Sequence, residues 1–221
     1  SQAYTTDKVV SSTSYLTVMY SKSTTEKGNA EFMFVGDIML SRYIGQIMEE
    51  RSNYTFPFEK IKTFLSSADL IFGNLESPIS NKGKSVGSLY SFRADPKSVL
   101  GLKNAGFSVV SVANNHAFDY GLEAFSDTLR NLKSVGIAYA GGGENTHEAY
   151  QGAKLKINDT EITVLAFTDL LPKKWGATDQ QAGVSYLDKQ VMINSIAAAK
   201  KSSDLVIVSF HWGREYETKS N

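Results

Sequence analysis

The chain has 221 residues, 42% of them hydrophobic and 21% charged, with 23 Lys+Arg against 23 Asp+Glu. This is the balance of a globular protein able to bury a sizeable core as one domain, or one with an appendage. Zero formal net charge argues against a nucleic-acid partner and against an acidic solvating tail, so charge arguments must be local. With no cysteine, a disulfide framework and a thiolate metal site are excluded; the same absence fits an exported bacterial protein. No apolar run approaches the ~20 residues of a membrane helix, and no basic-then-apolar leader opens the sequence.

Residues 1–30 are rich in Ser, Thr and Lys and are expected to form an N-terminal extension or stalk, with a patch at 15–20 that suits an edge strand. Residues 31–35 read as a compact buried strand that ends in Gly36 and Asp37. Ile44, Ile47 and Met48 then recur at helical spacing within 38–51, and 58–65 suits another short helix. A second buried-strand candidate at 69–72 ends in Gly73, Asn74, Leu75 and Glu76. Past a Gly/Ser/Lys loop at 81–88, a short strand is expected at 90–93 and a helix at 96–105, with Asp95 as cap and Pro96 at its first position.

The run 107–113 is short, valine-rich and nearly free of polar residues, as in a strand covered on both faces. It stops in Asn114, Asn115, His116 and, three residues on, Asp119. Leu122, Phe125, Leu129 and Leu132 then mark a helix over 121–135. A strand at 137–140 runs into the glycines 141–143, which lack the Lys-Ser/Thr of a phosphate-binding loop and read as a turn. Residues 154–157 and 161–167 suit a hairpin around Asn158 and Asp159. A helix at 188–201, with Val191, Ile196 and Ala199 inward, precedes a last buried strand at 205–210 that ends in His211, Trp212 and Gly213. Strands alternating with helices define a layered α/β domain over 31–221, without an internal repeat.

In an open α/β sheet, ligands bind at the carboxyl ends of the strands. Asn and Asp are also ordinary turn and cap residues, and Asp119 taken alone suits a cap for the helix behind it. Four strand ends, in Asp37, in Asn74 with Glu76, in Asn115 with His116 and in His211, make a pattern that suits one or two divalent cations. Carboxylate and amide oxygens with imidazole nitrogen favour Mn, Fe, Zn or Mg over Ca. Glu76 can bridge two ions that together activate a water. His116 then serves as general acid, with Asp119 orienting it. Among the remaining residues, His147 reads as surface, Lys82 and Lys84 as solvated, Trp175 as core and Arg93 as a contact for an anionic substrate.

The motifs GDIML at Gly36, GNLESPI at Gly73, FRADP at Phe92, ANNHAFDYG at Ala113, GGGEN at Gly141 and HWGREY at His211 resemble, in order, those of the CapA family of poly-γ-glutamate capsule biosynthesis proteins. That family is related to the calcineurin-like metallophosphoesterases. The resemblance implies a four-layer α/β/β/α sandwich of the metallophosphoesterase type, with the C-terminal part of the family domain lying beyond Asn221. It implies metal ligands at Asp37, Glu76, Asn115 and His211, a catalytic His116 with Asp119, and substrate contacts at Asn74 and Arg93.

The cofactor it implies is a divalent metal (Mn, Zn, Fe or Mg), held in an incomplete shell. Phosphoesterases open with an Asp-x-His pair where this sequence has Met39, and a later Gly-His-x-His type motif of the family supplies two further ligands. The function implied is synthesis, export or trimming of the anionic glutamate polymer at the extracellular face of the cell membrane. Membrane-bound polymer synthase subunits are the expected partners, and the anchor lies outside this sequence. The alternatives are a non-catalytic polymer-binding or scaffold subunit, and a metal-dependent phosphoesterase acting on a small phosphate ester.

Overall fold

The computed structural model describes residues 14–16, 30–88 and 90–213. The first sheet runs in the order β1 (Ser14–Leu16), β2 (Phe32–Ile38), β3 (Leu70–Leu75), β4 (Val109–Ser111) and β5 (Ala138–Ala140). Strands β2 to β5 are parallel, and β1 lies antiparallel on the outer edge of β2. The crossovers between them contain α1 (Arg42–Glu50), α2 (Lys62–Leu65), α3 (Ser98–Ala105) and α4 (Gly121–Ser134). After β5 the chain forms β6 (Gly142–Gly143), α5 (Thr146–Gln151), β7 (Ala153–Ile157), β8 (Thr160–Thr168), β9 (Gly183–Val184), α6 (Lys189–Ser202) and β10 (Leu205–His211). Here β7 and β8 are an antiparallel hairpin, and α6 returns the chain so that β10 joins β8 in parallel.

Strand alternation distributes the apolar side chains between layers. Phe32, Phe34, Leu70, Phe72 and Val109 of the first sheet meet Ile162, Val164, Ala166, Leu205 and Ile207 of the second in one cluster. The intervening Met33, Val35, Ile71 and Val110 point the other way, onto Met48, Leu102, Phe125 and Leu129 of the helices. On the far side of the second sheet, Leu165, Phe167, Val206 and Val208 pack with Met192, Ile196 and Ala199 of α6. Strands apolar on both faces therefore read as unbroken hydrophobic runs.

Several boundaries differ from the sequence expectation. β2 continues through Gly36 and Asp37 to Ile38, and its register with β3 shifts between Phe34 and Asp37. That bulge lets Ile38 join the core, re-aims Asp37 and delays α1 until Arg42. The expected strand at 90–93 is not formed; an isolated bridge between Ile79 and Ala94 stands in its place. α3 begins at Ser98, two residues late, because Asp95 Oδ1 accepts from Lys97 N at 2.7 Å.

The glycines are more than a turn, since Gly142 and Gly143 pair with β9. A Cβ on Gly142 would lie 2.7 Å from both Phe125 and Val112, an approach open to glycine alone. β10 is half-buried rather than buried because, among the described strands, it lies at a sheet edge. On α6, Met192 faces inward and Val191 is 37% exposed. Of the expected edge strand at 15–20, the residues Tyr15 and Leu16 pair with β2; 17–20 lie outside the described residues, as does most of the expected extension. No described helix is long and apolar enough to cross a membrane.

The loop after β3 is tied to α4 by a buried carboxylate. Asp127 accepts from Ser80 Oγ at 2.7 Å and pairs with Lys82 at 2.9 Å and Arg130 at 3.1 Å. Burial by itself would raise its pKa; hydrogen bonds from Lys82, Ser80 and Arg130 outweigh burial and hold it below the usual carboxylate value. A depressed folded value means that this stability is present above the unfolded pKa near ~3.9 and is lost as pH falls through the folded one. Asp127→Asn should therefore flatten the acid limb of stability below about pH 4, read from urea midpoints taken between pH 5 and pH 2. An acid limb as steep as in the parent would show that this carboxylate does not carry it.

Candidate functional site

Four polar strand ends meet at the carboxyl edge of the sheets through one amide network. Asn114, directly after β4, is fully buried. Its Nδ2 donates to Asn74 Oδ1 at 3.0 Å and to the Leu75 carbonyl at 2.8 Å, while its Oδ1 accepts from His116 N at 3.0 Å. Asn74 Oδ1 is thereby the acceptor, so Asn74 Nδ2 donates to Asp37 Oδ1 at 2.8 Å and toward His211 Nδ1 at 3.2 Å. With no ion bound, a donor facing Nδ1 makes that nitrogen the acceptor and puts the hydrogen of the neutral ring on Nε2, whereas an ion at Nε2 requires the other tautomer, with the hydrogen on Nδ1. His211 Nε2 in turn lies 3.0 Å from Asn115 Oδ1 and 3.2 Å from Glu76 Oε1, both acceptors.

These residues fit a divalent ion. Asp37, Glu76 and His211 each offer a ligand atom, all within 4.8 Å of one another. Donors that share an ion at bonds near ~2.1 Å stand roughly 3 Å apart at adjacent positions. His211 Nε2 stands at that spacing from both Asn115 Oδ1 and Glu76 Oε1. Two carboxylates, an amide oxygen and an imidazole are a donor set for Mn, Fe, Zn or Mg. Met39, two residues after Asp37, adds nothing to it: its thioether accepts a hydrogen bond from Ser41 Oγ at 3.0 Å, and thioethers are poor ligands for hard ions.

Beside this cluster, His116 Nδ1 lies 2.9 Å from Asp119 Oδ2. The same carboxylate oxygen accepts from Phe92 N at 2.8 Å, and the Asp119 carbonyl accepts from Val86 N at 2.9 Å. Asp119 thus joins Val86 and Phe92 to the imidazole, and it is Tyr120, without a side-chain cap, that stands at the N-cap of α4. The Phe92 ring lies 4.3 Å from the His116 ring, centroid to centroid.

All eight residues singled out in the sequence can now be placed. Asp37, Asn74, Glu76, Asn115 and His211 form one connected set, Asp37 joining through Asn74 to His211 and His211 to both Asn115 and Glu76. His116 and Asp119 form a neighbouring pair, linked to the cluster by Asn114. Arg93 stands apart: its guanidinium lies 4.1 Å over the Tyr120 ring and donates to the carbonyls of Lys82 and Gly83. His147 is exposed and Trp175 packs partly buried on Phe118, as expected. Lys82 is exposed, as expected, and also pairs with Asp127. Sequence reasoning missed Asn114 as the hub; the doubled asparagine at a strand end was its signal.

Fold and site together define a layered α/β protein with a composite carboxylate, amide and imidazole centre at its strand ends. Residues 31–221 match the family model of the bacterial capsule synthesis protein PGA_cap, and the chain belongs to that family. It is 34% identical over 195 residues to the PGA biosynthesis protein CapA of Bacillus subtilis, a match covering 85% of this chain and 50% of the relative. With the capsule biosynthesis protein CapA of Bacillus anthracis it shares 32% over 194 residues, 84% of this chain and 47% of that one. A protein of Mycobacterium tuberculosis named "Probable polyglutamine synthesis accessory protein" is 25% identical over 163 residues, covering 68% of this chain and 43% of its own. The chain spans about half the length of the curated relatives it matches.

Proposed function

We propose that this domain acts on poly-γ-glutamate at the extracellular face of the cell membrane, beside membrane-bound synthase subunits, as a metal-dependent hydrolase that trims the polymer. Its frame in this reading is the four-layer α/β/β/α sandwich of the metallophosphoesterases, which the alternation of helix, sheet, sheet and helix clusters supports. The observation that carries the reading is the pairing of His116 with Asp119 beside a ligand cluster of Asp37, Glu76 and His211 in a chain of this family. A divalent ion held by Asp37, Glu76, Asn115 and His211 would supply an activated water and polarise the amide or ester carbonyl. His116 gives a proton to the departing nitrogen or oxygen, while Asp119 fixes its ring through Nδ1 and balances the charge of its protonated form. Asn74 sets the orientation of Asp37 and His211.

The test is to incubate the protein with Mn²⁺ and poly-γ-glutamate and follow chain length by size-exclusion chromatography. The polymer should shorten, and His116→Gln should slow this by roughly 10² to 10⁴, the usual contribution of general acid catalysis. Met39, held by Ser41 in place of a ligand, favours a second reading, in which the site binds polymer or organises the synthase complex without turnover. Polymer bound by wild type yet retained at full length would favour that second reading over the first, and a protein that neither shortens nor binds polymer would sink both.

A further inference from the structure

Among the cations around the loop after β3 and the start of α1, Lys82 and Arg130 pair with the Asp127 carboxylate. Arg42 and Arg93 pair with no carboxylate of the described residues, yet both guanidiniums are held against aromatic rings. Arg42 Cζ lies 5.7 Å from the centroid of Phe92, the same ring that packs on His116. Arg42 is also exposed, and its backbone sits at φ 56°, a left-handed conformation that an unconstrained arginine avoids. A residue kept there without glycine needs a reason for its side chain. A guanidinium parked on an aromatic face keeps its N–H edge for an incoming anion, and that planar fork matches a carboxylate with two parallel hydrogen bonds.

We propose that Arg42 is a specificity-determining residue that binds a polymer α-carboxylate next to the bond presented to His116. Phe92 holds both the guanidinium and the imidazole, so the position of the bound carboxylate is set relative to the proton donor. Arg93, the neighbour of Phe92 in sequence, is different: it lies on Tyr120, but its Nη1 already donates to the carbonyls of Lys82 and Gly83. A γ-linked glutamate chain carries one α-carboxylate per residue, which gives Arg42 a partner beside the bond to be cleaved. This inference rests on the reading that the ligand is that polymer.

The experiment measures binding of a fluorescent γ-glutamate oligomer, and of the same oligomer with its α-carboxylates amidated, by polarisation. Wild type should prefer the carboxylate form. Arg42→Gln should weaken carboxylate binding about tenfold, equivalent to ~1.4 kcal/mol, and leave the amidated form unchanged. Arg42→Lys should recover less than half of the loss on a logarithmic scale, since an ammonium lacks the fork. Arg42→Gly removes the guanidinium while suiting the left-handed backbone, so it should bind as weakly as Arg42→Gln with a thermal midpoint equal to or above wild type. Carboxylate binding that survives Arg42→Gln overturns the inference alone. A loss shared equally by both oligomers overturns it too, as a packing effect. Wild type without preference for the carboxylate form overturns the polymer reading and this inference together.

Discussion

Mn²⁺ at a hundredfold excess over its Kd should stabilise this protein by about 2.7 kcal/mol, and His211→Ala should abolish the effect. The magnitude follows from an ion that binds the folded state alone. For a domain of this size it corresponds to a rise of roughly 5 to 10 °C in thermal midpoint. His211 is the residue to remove because its Nε2 faces both Asn115 Oδ1 and Glu76 Oε1, so its loss takes away the ligand at the centre of the set. Asp37→Asn should weaken the response as well, since one of the two carboxylates loses its charge. Differential scanning fluorimetry of the three proteins across a Mn²⁺ titration decides the matter. A full response retained by His211→Ala would place the ion elsewhere and remove the basis for reading this cluster as a metal centre.

Replacing Asn114 by Ala should be among the most damaging single changes in the protein, lowering stability by about 3 kcal/mol or more. The side chain is fully buried and serves Asn74 Oδ1, the Leu75 carbonyl and the His116 amide at once. Truncation strands all three groups where water does not readily reach them, and each buried polar group left without a partner costs about 1 to 3 kcal/mol. A midpoint lower by roughly 6 to 12 °C is expected. The same change frees Asn74 to rotate, and with it the hydrogen bonds that aim Asp37 and His211. Any Mn²⁺ response should therefore weaken beyond what the lost stability explains. A variant with an unchanged midpoint and an unchanged response would show that the amide network does not organise the site.

The α/β class and the strand ends were legible in the sequence because strands covered on both faces are apolar throughout, and polarity can begin only where burial stops. Leu70 to Phe72 and Val109 to Val110 obey this rule, which is why Asn74, Glu76, Asn115 and His116 stood out without coordinates. Helix spacing was equally direct for α4, where Phe125, Leu129 and Leu132 face the core, and Asn158 to Asp159 marked its hairpin. Membership of the family was likewise readable from six motifs in order, and the match over 31–221 agrees.

What the local pattern did not contain were relations between segments distant in the chain. The bulge that carries β2 on to Ile38 exists because β3 offers a partner, and the segment around Phe92 is not a strand because Asp119, 27 residues away, takes its amide hydrogen. Asn114 looked like one of two equivalent loop asparagines, yet only the packing of β3 against β4 makes it the buried hub. Nothing in the local pattern marked Arg42; its contact with Phe92, the ring that also packs on His116, is tertiary. Residue type and periodicity determined which groups would be polar at the strand ends, because those depend on burial along a single segment. Which of those groups touch, which are neutralised and which still present a charge was decided by tertiary structure, because hydrogen bonds and ion pairs depend on distances that sequence separation does not set.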